Sequence, residues 1–183
     1  MEHSHSKKET EQVSIHVHPA VRRYFDNHFP QSGDAYDLRG HFLHDFLRAG
    51  LTKEAQPETD CGLPEIKVAF SRRDWRCLGH SVTEKHQAAF SRLAYKFIQQ
   101  TACQEVLYAH VAGGIPRDTA IKEFLLNNLF EDDELNYAAL RKYYQRNWME
   151  AERRALEEYA DLAARRQPAH CTIILPKNVP TNP

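Results

Sequence analysis

A chain of 183 residues is the length of one domain, and 42% hydrophobic with 27% charged residues is a globular composition with enough apolar side chains for a core. A formal net charge of −1 excludes a global electrostatic drive towards nucleic acid or membrane, so any charged partner must be met by a local patch. No apolar run approaches the roughly 18 residues of a membrane-spanning helix, so no membrane partner is expected. The opening MEHSHSKKET does not read as a signal peptide, because no apolar stretch follows its charges. Cys61, Cys77, Cys103 and Cys171 never form a C-x-x-C pair. Such spacing fits reduced thiols in a cytoplasmic protein better than a disulfide framework or a zinc site.

Residues 1–12 are polar and read as a disordered tail, ahead of a single mostly helical domain over 13–166 and a second tail over 167–183. Val13, Ile15 and Val17 alternate with polar neighbours, the pattern of a half-buried strand. Pro19 suits the first turn of a helix carrying Val21, Tyr24, Phe25 and Phe29. After a turn at Gln31-Ser32-Gly33, a second helix is predicted over 34–49, with Leu38, Phe42, Leu43, Phe46 and Leu47 on one face. Gly50 is placed as its C′ residue. Residues 51–64 read as a loop, 65–70 (EIKVAF) as a second strand, and 171–175 (CTIIL) as a possible third.

Ser81-Val82-Thr83-Glu84 has the capping-box form. It opens the most strongly marked helix, with Ala89, Phe90, Leu93, Phe97, Ile98, Ala102, Val106 and Leu107 inward and Gly113-Gly114 at its end. A short amphipathic helix with Ile121, Phe124, Leu125 and Leu129 follows, then the acidic turn Glu131-Asp132-Asp133-Glu134. Asn136 reads as the N-cap of one long final helix, whose stripe is Leu140, Tyr144, Trp148, Ala151, Ala155, Tyr159 and Leu162. Gln167-Pro168 stops it. The expected fold is mainly α, with about five helices, a small two- or three-stranded β element and a long C-terminal helix.

Two basic patches are candidates for nucleic-acid contact. Seven Lys and Arg face two carboxylates over 67–96, and Arg72, Arg73 and Arg76 flank Trp75 in a connector. There the guanidinium groups suit phosphates and the indole suits stacking. The second patch follows the acidic turn, where Arg141, Lys142, Gln145 and Arg146 share the exposed face of a possible recognition helix. Arg and Gln have the bidentate geometry for guanine and adenine edges. Against this, the acidic link over 130–135 is longer than a helix-turn-helix turn and repels phosphate. Glu150, Glu152, Glu157 and Glu158 mix with Arg153, Arg154, Arg165 and Arg166 as a solvated face with pairs such as Glu150–Arg154. Tyr159 and Leu162, late on the stripe, are candidates for pairing with another helix.

His41-x-x-His44 has chelating spacing on a helix without a third ligand, and no metal or other cofactor is expected. No Gly-rich phosphate loop, G-x-S-x-G or Ser–His–Asp arrangement is present, so no catalytic residue is named and an enzyme is not favoured. His16-Val17-His18 with Tyr143 and Tyr144 is similar to the HUH nucleases, which implies a metal-holding histidine pair and an attacking tyrosine; that family also needs a larger sheet than is predicted here. The layout of Ile15-x-Val17-His18-Pro19-x-Val21 and L-x-Y-x-x-L-x-K-x-Y-x-R over 135–146 resembles small proteins of bacterial prophages and conjugative elements. That resemblance implies a mobile-element setting and no activity. The expectation is a non-enzymatic nucleic-acid-binding regulator or accessory protein, with a helix-mediated assembly protein as the alternative.

Overall fold

In the computed structural model, which describes residues 10–55 and 62–166, the alternation near the start of the chain forms β1, Thr10–His16. It begins three residues earlier than predicted. Val13 and Ile15 are buried while Gln12 and Ser14 face water, as a period of two requires. β1 lies antiparallel to β5, Glu65–Ser71, with Val13 opposite Val68 and Ile15 opposite Ile66. The predicted strand over 171–175 lies outside the described residues.

Helix α1 covers Pro19–His28, with its proline at the start as expected. The predicted helix over 34–49 is α2, Phe42–Ala49, only. Its first part holds β3, Ala35–Tyr36, parallel to β5; β3 forms a hairpin with β2, Gln31–Ser32, which takes the first two residues of the predicted turn. The sheet order is therefore β1-β5-β3-β2. Helical spacing of apolar residues was outweighed here because β5 offers β3 a free edge, which satisfies its backbone groups as well as a helix would. Gly50 ends α2 at φ −98°, so no left-handed conformation calls for glycine. Space does: a Cβ there would lie 2.1 Å from the His86 ring.

The predicted loop contains β4, Leu51–Thr52, which pairs with β6, Ser81–Val82. The connector holding Trp75 is a helix, α3, Arg72–Leu78, capped by the Ser71 hydroxyl. After it, Gly79 stands at φ 134° with its Cα against the Thr52 backbone. The long helix is α4, Glu84–Val111, and its N-cap is Thr83, whose hydroxyl accepts from His86 N–H. The predicted capping box is not formed, because Ser81 donates instead to the carbonyls of Thr52 and Glu54.

Helices α5, Arg117–Asn127, and α6, Tyr137–Asn147, pack on the later part of α4. Asn136 caps α6 as expected, accepting from Ala139 N–H at 2.8 Å. The final helix is broken at Trp148, and α7, Met149–Arg166, begins beyond it. The class is thus mainly α with a small mixed sheet, and the described residues hold seven helices rather than about five. One core joins Val13, Ile15, Val68 and Phe70 of the sheet to Val21, Phe25, Leu43, Leu47, Phe90 and Ile98. It continues through Ala102, Cys103 and Val106 to Ile121, Phe124, Leu140 and Tyr144.

Three histidines fasten these helices in their neutral form. The Nδ1 atoms of His18 and His41 accept the backbone N–H groups of Ala20 and Leu43, capping α1 and α2. His44 is 7% exposed and stacks on Phe70, with no hydrogen-bond partner at Nε2 among the described residues. Burial pushes all three below the usual histidine value of 6.5. The unfolded chain therefore takes up these protons first as pH falls. Their stabilisation is complete above about pH 6.5 and is lost progressively below it. The urea midpoint is expected to fall between pH 7.5 and pH 5; an unchanged midpoint would contradict this account of the caps.

Candidate functional site

The break at Trp148 changes which residues α7 buries. Leu140, Tyr144, Trp148 and Glu152 succeed one another every four residues, and each step advances about 40° round a helix of 3.6 residues per turn. A straight helix would carry Glu152 away from the face that Leu140 buries. The break returns it: Glu152 is 4% exposed, where its neighbours in sequence predict a solvated face, while Ala151 of the predicted stripe is exposed.

A buried carboxylate needs compensating donors. Arg117 at the start of α5 grips Glu152 with both ends of its guanidinium, Nε to Oε2 at 2.9 Å and Nη2 to Oε1 at 2.5 Å. The Tyr144 hydroxyl donates to Oε2 at 2.7 Å. His110 Nε2 lies 3.9 Å from Oε1, and its Nδ1 donates to Ile115 O. Burial raises the Glu152 carboxyl, but the donors from Arg117 and Tyr144 outweigh it and hold the group below its ordinary value. Burial, then the bond to Glu152, pushes Tyr144 upward. Four helices meet at this carboxylate. It is the buried ionic centre that the sequence reading missed, and the signal was a Glu placed between Trp148 and Ala155 at apolar spacing.

Beyond this anchor α7 leaves the body. Arg153 pairs with Glu150 and Glu157, and Arg154 pairs with Glu150 at 3.1 Å as its spacing predicts. These exposed pairs support the helix weakly. Every residue from Leu156 to Leu162 is exposed, and Leu156, Tyr159 and Leu162 stand 40%, 52% and 52% exposed on it. A groove of about 560 Å³ follows the α6–α7 junction, with Met149 and Leu156 among its walls beside Gln145, Arg146 and Arg153.

The two basic patches are not brought together. Arg72, Arg73 and Arg76 are exposed on α3, near the N-terminal end of α4, while Tyr143 and Tyr144 of α6 lie by Cys103. Cys103 is about 28 Å further along α4 at 1.5 Å per residue. Trp75 is half-buried against the core, near His80, and is not presented for stacking. Asp74 of α3 is paired with Arg48 at 2.7 Å, and Arg73 and Arg76 have no ion-pair partner among the described residues. On α6, Leu140 and Tyr144 are buried and Arg141, Lys142, Gln145 and Arg146 exposed, as expected. Arg141 is paired with Asp118 of α5 at 3.3 Å. The acidic turn is tied to α1, where Arg23 meets Glu131 and Glu134.

β1 ends at His16, and His18 lies beyond it as a helix cap. Strand alternation therefore does not put the two rings on one face. Tyr144 is enclosed and bonded to Glu152, and Tyr143 is half-buried, so neither is offered to a phosphate as the nuclease likeness requires. Among the described residues no three His, Cys, Asp or Glu side chains form a metal-holding group, and no helix is long and apolar enough to cross a membrane. Cys77 is exposed; Cys103 is buried, which pushes its thiol up to about 12. No family model, curated protein or solved structure matches the chain.

Proposed function

We propose that this protein is a helix-mediated assembly protein that associates through the outer part of α7. The observation that carries the reading is the free row of Leu156, Tyr159 and Leu162 on a helix end that packs against nothing in the described chain. Most helical stability in proteins comes from packing an apolar face, and from Leu156 to Leu162 every residue of α7 is exposed. An apolar row on such an end gains its stability from a second helix laid along it. Sedimentation analysis over a concentration series tests this. Replacing Tyr159 and Leu162 together with Glu is expected to reduce the solution mass to that of one 21.2 kDa chain with unchanged helical signal from the body. A mass that does not respond to the substitutions counts against the assembly reading.

A second reading is nucleic-acid contact, favoured by Arg73 and Arg76, exposed beside Arg72 on α3. The mobile-element role implied by the resemblance over 15–21 and 135–146 belongs with it. Lys142, Gln145 and Arg146 would add a separate contact, whereas Arg141 would first have to leave Asp118. Fluorescence anisotropy with duplex and single-stranded DNA, from roughly 50 to 200 mM salt, decides it. Phosphate contact predicts affinity that falls steeply with salt and weakens in Arg73→Ala/Arg76→Ala. Absence of binding at the low-salt end removes this reading.

A further inference from the structure

We propose that the break between α6 and α7 is a latched joint: Glu152, held by Arg117 and Tyr144, keeps it open, and release of the latch lets residues 137–166 close into one continuous helix. Sharp helix breaks ordinarily have a local cause such as proline, glycine or an inserted residue. Residues 136–166 contain no proline and no glycine, and are rich in Ala, Leu, Glu and Arg, which favour helix. The local contribution is Asn147, a weak helix former whose side chain donates to Tyr143 O at 2.8 Å at the end of α6; the remaining hold on the break comes from outside the segment, through Arg117 on Glu152.

The hydrogen-bond ladder locates it. Trp148 N–H bonds Tyr144 O at 2.8 Å, and the next bond outside the helices is Glu152 N–H to Trp148 O at 2.9 Å. Between them the amides of Met149, Glu150 and Ala151 open the new helix. In a continuous helix they would donate to the carbonyls of Gln145, Arg146 and Asn147. Three backbone hydrogen bonds are thus given up where the sequence favours forming them. Set against them are the contacts that span the gap: Tyr144 in the last turn of α6 bonds Glu152 in the first turn of α7, and Arg117 ties the same carboxylate to α5. The half-buried Trp148 ring packs on the core between them.

Two arrangements of one segment, each forming bonds that the other lacks, make a bistable element. The joint sets the direction in which α7 points from the body, and so where Leu156, Tyr159 and Leu162 are presented. It is a property of the single chain and does not rest on what α7 binds.

Amide hydrogen exchange by NMR on the dilute protein tests the joint. In the native protein the amides of Met149, Glu150 and Ala151 are expected to exchange without protection. In Glu152→Gln, and in the double variant Arg117→Met/Glu152→Met, which leaves no unpaired charge in the site, their exchange is expected to slow by about tenfold or more. The amides of α4 and β5 should stay protected in both. Unslowed exchange at the three amides in a variant with α4 still protected overturns the latch. Protection of these amides already in the native protein overturns it as well. Global unfolding of both variants would show that Glu152 holds the whole fold rather than a joint, and would also overturn it.

Discussion

Glu152→Ala is expected to destabilise the protein by about 3 kcal/mol, the lower end of the range for breaking a buried ion pair by removing one partner. The Arg117 guanidinium loses both acceptors of its bidentate grip, and Tyr144 loses the acceptor of a hydroxyl that is otherwise enclosed. The lower end applies because the Arg117 side chain is 26% exposed and can turn partly to water. At 2–4 °C per kcal/mol for a chain of this size, the melting temperature should drop by about 6–12 °C. Thermal unfolding followed by circular dichroism measures it. A drop under about 2 °C would mean that the Glu152 cluster contributes no more than a surface pair.

Phe90→Ala is expected to cost about 3–5 kcal/mol, since a fully buried phenylalanine is removed and its cavity cannot close. Phe90 projects from α4 between α1 and α2, edge-on to Phe25 at 6.3 Å and beside Phe46 at 6.4 Å. It therefore joins three helices through one ring, and the edge-on contact with Phe25 adds to the area buried. Urea unfolding should show a lower midpoint with an unchanged slope. A loss below about 1 kcal/mol would mean that the site refills by rearrangement of Phe25 and Phe46. Phe90 lies in the first turns of α4, whereas Glu152 of α7 lies by His110 at its other end, so their effects should add.

The two positions differ in how they could be read. Phe90 belongs to an unbroken helical period that runs on through Ile98, Ala102 and Val106, all buried, and periodicity alone is enough to place it. Glu152 is the opposite case. A glutamate among arginines on a helix reads as a surface residue, because burying it is costly unless partners arrive. Those partners, Arg117 and Tyr144, lie 35 and 8 residues away in sequence. The same limit applies to α2, whose predicted first turns are taken by β3. Only the neighbouring edge of β5 makes a strand the better choice there.

The candidate site was legible in the same uneven way. Tyr159 and Leu162 were recognisable as surplus apolar residues late on a stripe, and they are exposed in the fold. The Arg-rich stretch around Trp75 suggested a free connector with an available indole. The fold makes it a helix and turns the indole towards the core. The exposed face of α6 was assigned correctly, but the ion pair between Arg141 and Asp118 depends on how α5 packs.

By itself the sequence determined the mainly helical class, the pairing-competent strands at 13–17 and 65–70, the Asn136 cap and most of the core of α4. Each of these rests on interactions within a few residues or on the period of one element. Only the tertiary structure decided that 35–36 joins the sheet, that Ser81 leaves its capping box, and that the last helix breaks at Trp148 to bury Glu152. In each of those cases the local preference is worth about 1 kcal/mol or a few hydrogen bonds. A partner distant in sequence offers as much or more, and pattern within a single segment carries no information about that partner.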